Sequence, residues 1–568
     1  MLKTLIVQSG GTQRKKLLNT SQIIFISDFF LDEILGGAEK CNDSLISKLK
    51  KTYNVLSIKS RDVTVDFINK NKNNLFIVAN FFLLPEDIKL FLSQNVKYII
   101  YEHDHKYVST NNPLLFKNFL VPQQYIINKH FYKAAHKVIC QSKMHAEVVY
   151  KNLLLGNIIN AGGNFWSNED ISILEAHIEE NKSITHACMN TQNKNKGTPV
   201  AIKYCKEKQL DLTLIDHKPY KNFIEHLSKV ESFVFFPQWL ESYSRVAVEA
   251  KILGCKIITN GLLGAASEDY FKLSGFELLE KIKQNNKILL QTIDNIIKGI
   301  PVVDNFVKKE IPKVTISCPV YNGDKYIRHF LEDITKQTIF DKCELIIVNA
   351  DSPGNEEEVI NEYCNNYNNI VYKRLDYRAT TTETINMVIS ELSTGEYITV
   401  GNIDDSRSYD CIENQVRELM FDEEISLIYG DCLQTTKINE TFEENSSNGV
   451  LYKHSLNDFS MENMIKCLPG PMPMWKIDAH KEIGLFSDKY DYANDWDMWL
   501  RMVQAGRKFK KINKPLGLYY FNPEGRSTSS NNFLDKIKEE AEIFLKFKHV
   551  FGERNFNKYK NHFLQGAP

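Results

Sequence analysis

The chain has 568 residues, of which 43% are apolar and 25% are charged, and its formal net charge is −1. This composition is typical of folded globular domains and excludes disordered, collagen-like and coiled-coil chains. The balanced charge also argues against a protein that binds nucleic acid by general electrostatic attraction. At roughly 150 residues per domain, the length predicts three or four folding units.

The cysteines indicate the redox environment of the protein. The eleven cysteines are spread along the chain and form no C-x-x-C pair, so we expect neither a disulfide framework nor a zinc site. This usage is typical of a reducing compartment and predicts a cytoplasmic protein. The N-terminus lacks the order of charge and apolar core that a signal peptide requires, and no apolar run reaches about 18 residues. We therefore expect no membrane span.

The first half of the chain alternates apolar runs with helical stretches. Such runs are typical of buried parallel strands in α/β units. The runs predict an α/β domain over 21–305, preceded by a 1–20 extension. A polar stretch near 170–182 divides this domain into subdomains of about 21–170 and 171–305. The runs are IIFIS (23–27), FIVANFF (76–82), YIIYE (98–102), KVICQ (137–141), LTLID (212–216), SFVFFP (232–237) and KIITN (256–260).

A new α/β pattern begins after a proline-bounded connector near 305–312. It predicts a second domain over 312–530, followed by a helical segment over 531–568. That last segment is basic towards its end, and it either packs on its own domain or touches a membrane surface. The apolar runs of the second domain are KVTISCPVYN (313–322), ELIIVNA (344–350), IVYKRL (370–375), YITVGNIDD (397–405) and LIYGD (427–431).

Polar residues follow several of these predicted strands. Ligands of open α/β sheets bind outside the carboxyl ends of the strands, so we expect these residues to line a site. They are Pro319 and Tyr321 after the first strand, Asn349 and Asp351 after the second, and Asp404 and Asp405 after the fourth.

The Asp404-Asp405 pair has two interpretations. Carboxylates at a strand end are hard oxygen ligands, which hold Mg²⁺ or Mn²⁺ together with substrate phosphates. Aspartate is also favoured at helix caps and in turns, so the pair alone does not decide between a metal site and a structural role.

The segment NDWDMWLRM (494–502) predicts an amphipathic helix that begins near Asn494 or Asp495. Trp496, Trp499 and Leu500 recur at helical spacing and form one apolar stripe, which we assign to the core. Asp495 then lies at the N-terminus of this helix. It is either a cap or a functional carboxylate.

The ordered set of PVYN, NADS, the Asp pair and NDWDMWLR resembles the family 2 glycosyltransferases, which are inverting enzymes of GT-A fold. The resemblance covers about 313–530. It implies that Pro319, Tyr321, Asn349, Asp351 and Asp404 bind a nucleotide-sugar donor. It further implies that Asp404 and Asp405 hold Mn²⁺ or Mg²⁺ and that Asp495 is the catalytic base. The sequence departs from the family at three positions. They are Asn402, where the family's D-x-D has its first carboxylate, Asn349, where the family usually has Asp, and Asn494, where the family has Glu.

The first half contains a second set of motifs. The turn Gly36-Gly37 feeds a helix, where it either accepts phosphate or serves the backbone alone. In PQWLESYSRVAVEAKILG (237–254), Glu241 and Glu249 are eight residues apart, on successive turns if the segment is helical. Its mostly apolar neighbours place both carboxylates beside a buried region, where such groups need partners.

These motifs resemble the family 4 glycosyltransferases, which are retaining enzymes of GT-B fold, over about 21–285. The resemblance implies that Glu241 acts on the transferred sugar and that Glu249 holds the donor ribose. It places Lys196 of NKNKG (193–197) on the diphosphate, and Gly36 and Gly37 beside the diphosphate or the acceptor. It implies no metal cofactor for this half.

The two resemblances together predict an α/β chain with a GT-B-like pair of Rossmann-type subdomains followed by a GT-A domain. We expect a bifunctional glycosyltransferase that transfers sugars from nucleotide sugars to a glycan or lipid-linked acceptor of a surface polysaccharide, without nucleic acid. The alternatives are a single active GT-A domain with a non-catalytic GT-B-like binding module, a sugar nucleotidyltransferase, and a carbohydrate-binding protein. The sugars, the nucleotide, the acceptor and the oligomeric state stay open.

Overall fold

The computed structural model describes residues 22–564 except 179, 217–218, 304, 453–456, 524 and 526–527. The predicted 1–20 extension lies outside the described residues. The described chain divides into two compact units. The N-terminal unit contains the residues up to Val121 and Tyr125–Lys308, and the C-terminal unit contains Pro122–Gln124 and the residues from Lys309 onward.

The first sheet of the N-terminal unit has six parallel strands in the order β2-β1-β3-β4-β5-β6. Its central strands are apolar on both faces, and residues 23–26 are fully buried because helices cover both sides. The prediction of buried parallel strands is confirmed here. The strands are β1 (Gln22–Ser27), β2 (Asn54–Lys59), β3 (Leu75–Val78), β4 (Tyr98–Tyr101), β5 (Lys137–Cys140) and β6 (Ile158–Asn160). The helices of this lobe are α1 (Gly37–Leu49), α2 (Val65–Lys70), α3 (Glu86–Asn95), α4 (Lys129–Ala134), α5 (Lys143–Leu153) and α6 (Asn168–Glu175).

The second sheet of the same unit has four parallel strands in the order β10-β9-β7-β8. The strands are β7 (Ile184–Asn190), β8 (Thr213–Asp216), β9 (Val230–Phe235) and β10 (Lys256–Thr259). The helices are α7 (Thr198–Glu207), α8 (Tyr220–Ser228), α9 (Arg245–Ile252) and α10 (Gly275–Lys298).

The long helix α10 joins the two lobes of the N-terminal unit. Its first half buries Leu278 and Ile282 in the core of the second lobe. Its second half buries Leu289 and Ile293 in the core of the first lobe. One amphipathic helix therefore contributes to both cores, and its apolar face couples the lobes into one unit.

The C-terminal unit is built on one eight-stranded mixed sheet in the order β13-β12-β11-β14-β17-β16-β18-β15. The first four strands in this order are parallel, and β17 pairs antiparallel with β14 and β16. The strands are β11 (Val314–Val320), β12 (Cys343–Asn349), β13 (Ile370–Arg374), β14 (Tyr397–Val400), β15 (Ser406–Arg407), β16 (Ile425–Thr435), β17 (Met474–Lys476) and β18 (Lys508–Tyr520). The helices are α11 (Ile327–Ile334), α12 (Glu356–Asn366), α13 (Thr381–Met387), α14 (Cys411–Phe421), α15 (Ala479–Ile483), α16 (Asn494–Gln504), α17 (Phe533–Lys546) and α18 (Lys548–Leu564).

The C-terminal helices α17 and α18 pack on their own unit. The Trp496 ring of α16 lies 6.1 Å from the Phe551 ring and 5.6 Å from the Phe563 ring. Phe544 of α17 is fully buried in the same cluster. This packing is one of the two alternatives that the sequence left open for the segment. Among the described residues, no helix combines the length and apolar character that a membrane span requires.

Candidate active sites

The carboxyl ends of four neighbouring strands form one edge of the C-terminal sheet. The parallel registers pair Ser317 with Val400, Val320 with Asn349, and Asn349 with Arg374. The polar residues that follow β11, β12, β13 and β14 are therefore brought to the same edge, as expected for a ligand site of an open α/β sheet.

At the first strand end, Tyr321 follows β11 and Pro319 lies within this strand. The guanidinium carbon of Arg378 lies 3.7 Å from the centroid of the Tyr321 ring, which is cation–π geometry. The sequence analysis missed Arg378. The signal was available, because Arg378 follows β13 closely, and β13 belongs to the same row of parallel strands.

The second strand end is organised by Asn349, whose side chain is buried. Its carbonyl oxygen accepts a hydrogen bond of 2.8 Å from the Ser352 N–H, and its amide donates to the Tyr372 hydroxyl at 3.2 Å. Asp351 adopts a left-handed conformation with φ of 56°, and its carboxylate lies 3.3 Å from Arg374. Asn349 therefore holds the turn, while the half-exposed Asp351 carboxylate is presented at the edge.

At the third strand end, Asp404 and Asp405 differ sharply. Asp405 is only 6% exposed, and its two carboxylate oxygens accept hydrogen bonds from the Tyr520 N–H at 3.0 Å and the Asn402 amide at 3.1 Å. Burial and the Asp404 charge raise the pKa of Asp405 to about 8. Asp405 thus ties this turn to β18.

The Asp404 carboxylate is half-buried, and among the described residues it forms no ion pair and accepts no hydrogen bond from another residue. Burial raises its pKa. The described residues contain no cluster of three His, Cys, Asp or Glu side chains that would hold a metal by themselves. A site with one available carboxylate fits a divalent ion that takes its other ligands from substrate phosphates and water.

Asp495 lies in the first turn of α16, which begins at Asn494 as predicted. One carboxylate oxygen accepts a hydrogen bond of 2.7 Å from the Trp496 N–H, and the other accepts from the Cys467 thiol at 3.3 Å. Burial raises the pKa of Asp495. The apolar stripe of the helix lies in the core, also as predicted.

Tyr519 of β18 packs against Tyr452. Tyr519 precedes the residue whose N–H Asp405 binds, and its ring lies 4.5 Å from the ring of Tyr452. The charge of Asp495 in turn contributes to the raised pKa of Tyr452, although burial is the larger cause. Tyr452 therefore contacts β18 through Tyr519 and lies within electrostatic reach of Asp495.

Helix α17 holds the chain that leads into α16. The Glu539 carboxylate accepts hydrogen bonds from three consecutive backbone N–H groups, those of Asp491 at 2.7 Å, Tyr492 at 2.7 Å and Ala493 at 3.0 Å. At the C-terminal end of α17, the Lys546 ammonium lies 2.6 Å from the fully buried Asp497 carboxylate. The sequence analysis missed Glu539, whose only local signal was its place on an amphipathic helix.

In the N-terminal unit, Lys196 and Glu241 meet although they are 45 residues apart. The Lys196 ammonium lies 2.8 Å from the Glu241 carboxylate. Gly197 adopts φ of 69°, and a Cβ there would lie 1.7 Å from the Phe236 carbonyl oxygen, so the turn after Lys196 requires glycine. Glu241 precedes α9, which begins at Arg245. The condition under which Glu241 and Glu249 would lie on successive turns, a helix that includes both, is therefore not met.

Glu249 is buried and engaged by partners. Its carboxylate accepts a hydrogen bond from the Tyr220 hydroxyl at 3.0 Å and lies 3.5 Å from Arg245. Arg245 also pairs with Asp170 at 2.8 Å, and Asp170 pairs with Lys40 at 2.7 Å. Sequence reasoning missed this network because its members come from four separate helices.

Gly36 and Gly37 lie where the sequence placed them, at the start of a helix. Gly36 is the N-cap of α1 and Gly37 is its first residue. A Cβ on Gly36 would lie 2.1 Å from a Glu39 carboxylate oxygen, whereas a Cβ on Gly37 would meet nothing within 4 Å. Lys40 of the network follows one turn later.

The carboxyl edge of parallel strands is the place where open α/β sheets bind their ligands, and this edge presents the half-buried Asp404 carboxylate. The profile of the glycosyl transferase family 2 matches residues 315–483 of the chain. An uncharacterized glycosyltransferase of Mycoplasma genitalium is 32% identical over 225 residues, which are 38% of this chain and 70% of the relative. The chain therefore belongs to the glycosyltransferases, and its C-terminal unit contains a GT-A-like family 2 domain.

Two further relatives and one solved structure are similar to parts of the chain. An uncharacterized glycosyltransferase of Methanocaldococcus jannaschii is 23% identical over 232 residues, 40% of this chain and 76% of the relative. The minor teichoic acid biosynthesis protein GgaB of Bacillus subtilis is 42% identical over 62 residues, which are 11% of this chain and 7% of the relative. A solved structure of Staphylococcus aureus TarS in complex with UDP is 15% identical, covering 44% of this chain and 72% of that chain with a TM-score of 0.34. The resemblance of the N-terminal half to family 4 stays a prediction.

Proposed function

We propose that the C-terminal unit transfers a sugar from a nucleoside diphosphate sugar to a hydroxyl group of a glycan, with inversion at the anomeric carbon. One observation carries this proposal: the half-buried Asp404 carboxylate, which has no partner among the described residues, follows β14 at the carboxyl edge of the parallel strands, inside the segment that matches family 2. Asp404 suits a metal ion that neutralises the departing diphosphate, and Asp495 suits the proton that the acceptor hydroxyl loses.

Asp495 is the proposed base. The acceptor oxygen forms a bond to the anomeric carbon while the bond from that carbon to the diphosphate breaks, and the acceptor proton passes to the Asp495 carboxylate. Burial raises the pKa of this carboxyl, which makes its ionised form a stronger proton acceptor. The hydrogen bonds from the Trp496 N–H and the Cys467 thiol orient it.

Asp404 is the proposed ligand of Mn²⁺ or Mg²⁺, with the donor phosphates supplying further oxygens. When bound, such an ion neutralises the charge that develops on the departing diphosphate. Asp405, which the sequence placed beside it as a second ligand, holds the turn through its bonds to Tyr520 and Asn402. We assign the nucleotide to the neighbouring strand ends, with Pro319, Tyr321, Asn349 and Asp351 around it.

For the N-terminal unit, we propose a GT-B-like domain with a second nucleotide-sugar site. The 2.8 Å pair of Lys196 and Glu241 supports it, since a cation at a helix start and a nearby carboxylate suit a diphosphate and a sugar. Glu249 supports the alternative of a binding module without turnover, because Tyr220 and Arg245 already occupy the carboxylate proposed to hold ribose.

The proposed acceptor class is a cell-surface polysaccharide. The local 42% identity to a teichoic acid biosynthesis protein supports this assignment. The identity covers a short segment of that relative, so the acceptor itself has to be found by assay.

The deciding experiment measures donor turnover by the full chain on a panel of UDP-, GDP- and CDP-sugars, with Mn²⁺ or with EDTA. We expect one donor to be consumed with Mn²⁺, with the activity lost in Asp404→Asn and Asp495→Asn and kept in the exposed control Asp488→Asn. A second donor, consumed in EDTA and lost in Glu241→Gln, establishes a bifunctional enzyme. Release of pyrophosphate from a sugar phosphate and a nucleoside triphosphate would instead identify a nucleotidyltransferase.

A further inference from the structure

A cavity of about 430 Å³ lies beside the N-terminus of α17 in the C-terminal unit. Its walls come from the residues that follow β18 and from the first two turns of the helix. The lining side chains that matter here are those of Thr528, Ser529, Ser530, Phe533, Lys536 and Glu540. This volume lies within the range of small-ligand sites.

The lining combines one open aromatic face with a ring of polar groups. Phe533 is 60% exposed, although it is a large apolar side chain. The three hydroxyl groups both donate and accept hydrogen bonds, the Glu540 carboxylate accepts them and the Lys536 ammonium donates them. The Thr528 hydroxyl already donates to the backbone of its own turn, so the recognition argued here depends on Phe533 and Glu540. A sugar ring matches these two side chains, because it has a C–H face for the aromatic ring and hydroxyl groups that donate to a carboxylate.

The cavity adjoins the proposed base. The Lys536 charge lowers the pKa of Asp495, against the larger effect of burial, and the Asp495 charge adds to burial in raising the pKa of Glu540. Between these two cavity residues on the same helix, Glu539 binds the backbone N–H groups that lead into α16. Helix α17 therefore lines the cavity and holds the start of the base helix at the same time.

We propose that this cavity is the acceptor subsite, which seats the terminal sugar ring of the glycan and directs its hydroxyl group to Asp495. This inference rests on the proposed function of the C-terminal unit. Phe533 packs on the C–H face of the ring, and Glu540 accepts hydrogen bonds from ring hydroxyls. Both are binding residues for the acceptor, and neither touches the bond that breaks.

The charges of the cavity favour an acceptor sugar over the donor diphosphate. Lys536 alone would suit a phosphate, but the Glu540 carboxylate lies one helical turn away and faces the same cavity. A diphosphate placed there would be repelled by this carboxylate, since like charges in a partly buried site interact strongly. A neutral, hydroxylated ring meets no such penalty.

The test uses the full chain, the donor identified by the turnover assay, and p-nitrophenyl β-glycosides of glucose, galactose, N-acetylglucosamine and N-acetylgalactosamine as acceptor probes. Phe533→Ala and Glu540→Gln are compared with two matched controls, Leu534→Ala and Asp535→Asn. Leu534 is the next residue and is 68% exposed, and Asp535 is an exposed carboxylate that pairs with Lys538. Binding of each glycoside is also followed by saturation-transfer NMR.

We expect the KM for the glycoside to rise about tenfold in Phe533→Ala and in Glu540→Gln, the loss of roughly one contact each, and to rise more than the KM for the donor. The controls should keep the wild-type KM for the glycoside. An unchanged acceptor KM in both cavity variants, or binding of none of the glycosides to the wild type, overturns the subsite. An equal rise in the KM for the donor would place the donor in this cavity and also overturn it.

The failure of the proposed function has a different result. If the wild type consumes no nucleotide sugar, or if Asp495→Asn keeps full transfer, then the C-terminal unit does not work as proposed. If transfer depends on Asp495 but not on the cavity variants, the function stands and the acceptor binds elsewhere.

Discussion

Replacing Glu539 with alanine should loosen the start of the base helix. The Glu539 carboxylate is the acceptor for the N–H groups of Asp491, Tyr492 and Ala493, which directly precede α16. Ala493 is the N-cap of α16, and Asp491 and Tyr492 directly precede it. Glu539→Ala removes the carboxylate that these three N–H groups share.

The free energy that Glu539 contributes to holding this segment follows from the number of hydrogen bonds and their exposure to water. A hydrogen bond to a charged acceptor contributes about 1.5–3 kcal/mol, and we take about 1 kcal/mol because Glu539 is partly exposed to water. Three bonds then stabilise the closed segment by about 3 kcal/mol. Since about 1.4 kcal/mol corresponds to a factor of ten, local opening should become about a hundredfold more frequent.

Hydrogen–deuterium exchange with mass spectrometry measures this opening in the peptide that contains residues 491–493. The matched control is Glu542→Ala on the same helix, which removes a contact with Lys489 and a hydrogen bond of 3.1 Å from the Tyr490 hydroxyl but no backbone hydrogen bond. The pair with Lys489 is 60% and 47% exposed, so it should contribute less than about 1 kcal/mol. We also expect kcat for transfer to fall in Glu539→Ala with little change in the KM for the donor, because Asp495 loses its position. Equal exchange and equal kcat in the two variants would refute the reasoning.

Three further predictions follow from the charged groups of the two units. Asp404→Asn should abolish Mn²⁺-dependent donor turnover and leave the thermal unfolding temperature nearly unchanged, since this carboxylate has no protein partner among the described residues. Lys536→Met should shift the acid limb of the kcat–pH profile to higher pH, because the Lys536 charge lowers the pKa of Asp495 and transfer needs the ionised base. Arg245→Met should destabilise the N-terminal unit by about 3–5 kcal/mol in denaturant unfolding, because it leaves the buried Glu249 without its cation.

Each of these has a contradicting outcome. Full Mn²⁺-dependent turnover in Asp404→Asn would remove this residue from the donor site. The matched control for the pH profile is Lys538→Met, whose ammonium pairs with Asp535 instead. An equal shift in both lysine variants would assign the effect to net charge. An unchanged unfolding midpoint in Arg245→Met would mean that water replaces the guanidinium.

Much of the fold could be read from local patterns. Continuous apolar runs predicted buried parallel strands, because only strands covered on both faces tolerate side chains that are apolar on both sides. The strand ends of the C-terminal unit were predicted to share one edge, and the registers of β11, β12, β13 and β14 confirm it. The spacing of Trp496, Trp499 and Leu500 likewise predicted the buried face of α16.

The partners of the polar side chains were decided only by the tertiary structure. The spacing of Glu241 and Glu249 left open whether one helix contains both, but the helix begins between them and Lys196 pairs with Glu241. Asp404 and Asp405 are neighbours in sequence, yet only Asp405 is bound by β18.

The sequence determines some properties and not others because they depend on residues at different separations along the chain. Burial and helix or strand periodicity depend on residues within a few positions, so the sequence by itself determined the class of fold, the strand-end residues and the position of Asp495. Hydrogen bonds and ion pairs join groups that are distant in the chain, such as Glu539 and the N–H of Tyr492, 47 residues apart. Only the packed structure decides which of these groups meet, and hence which carboxylates are free to bind a substrate.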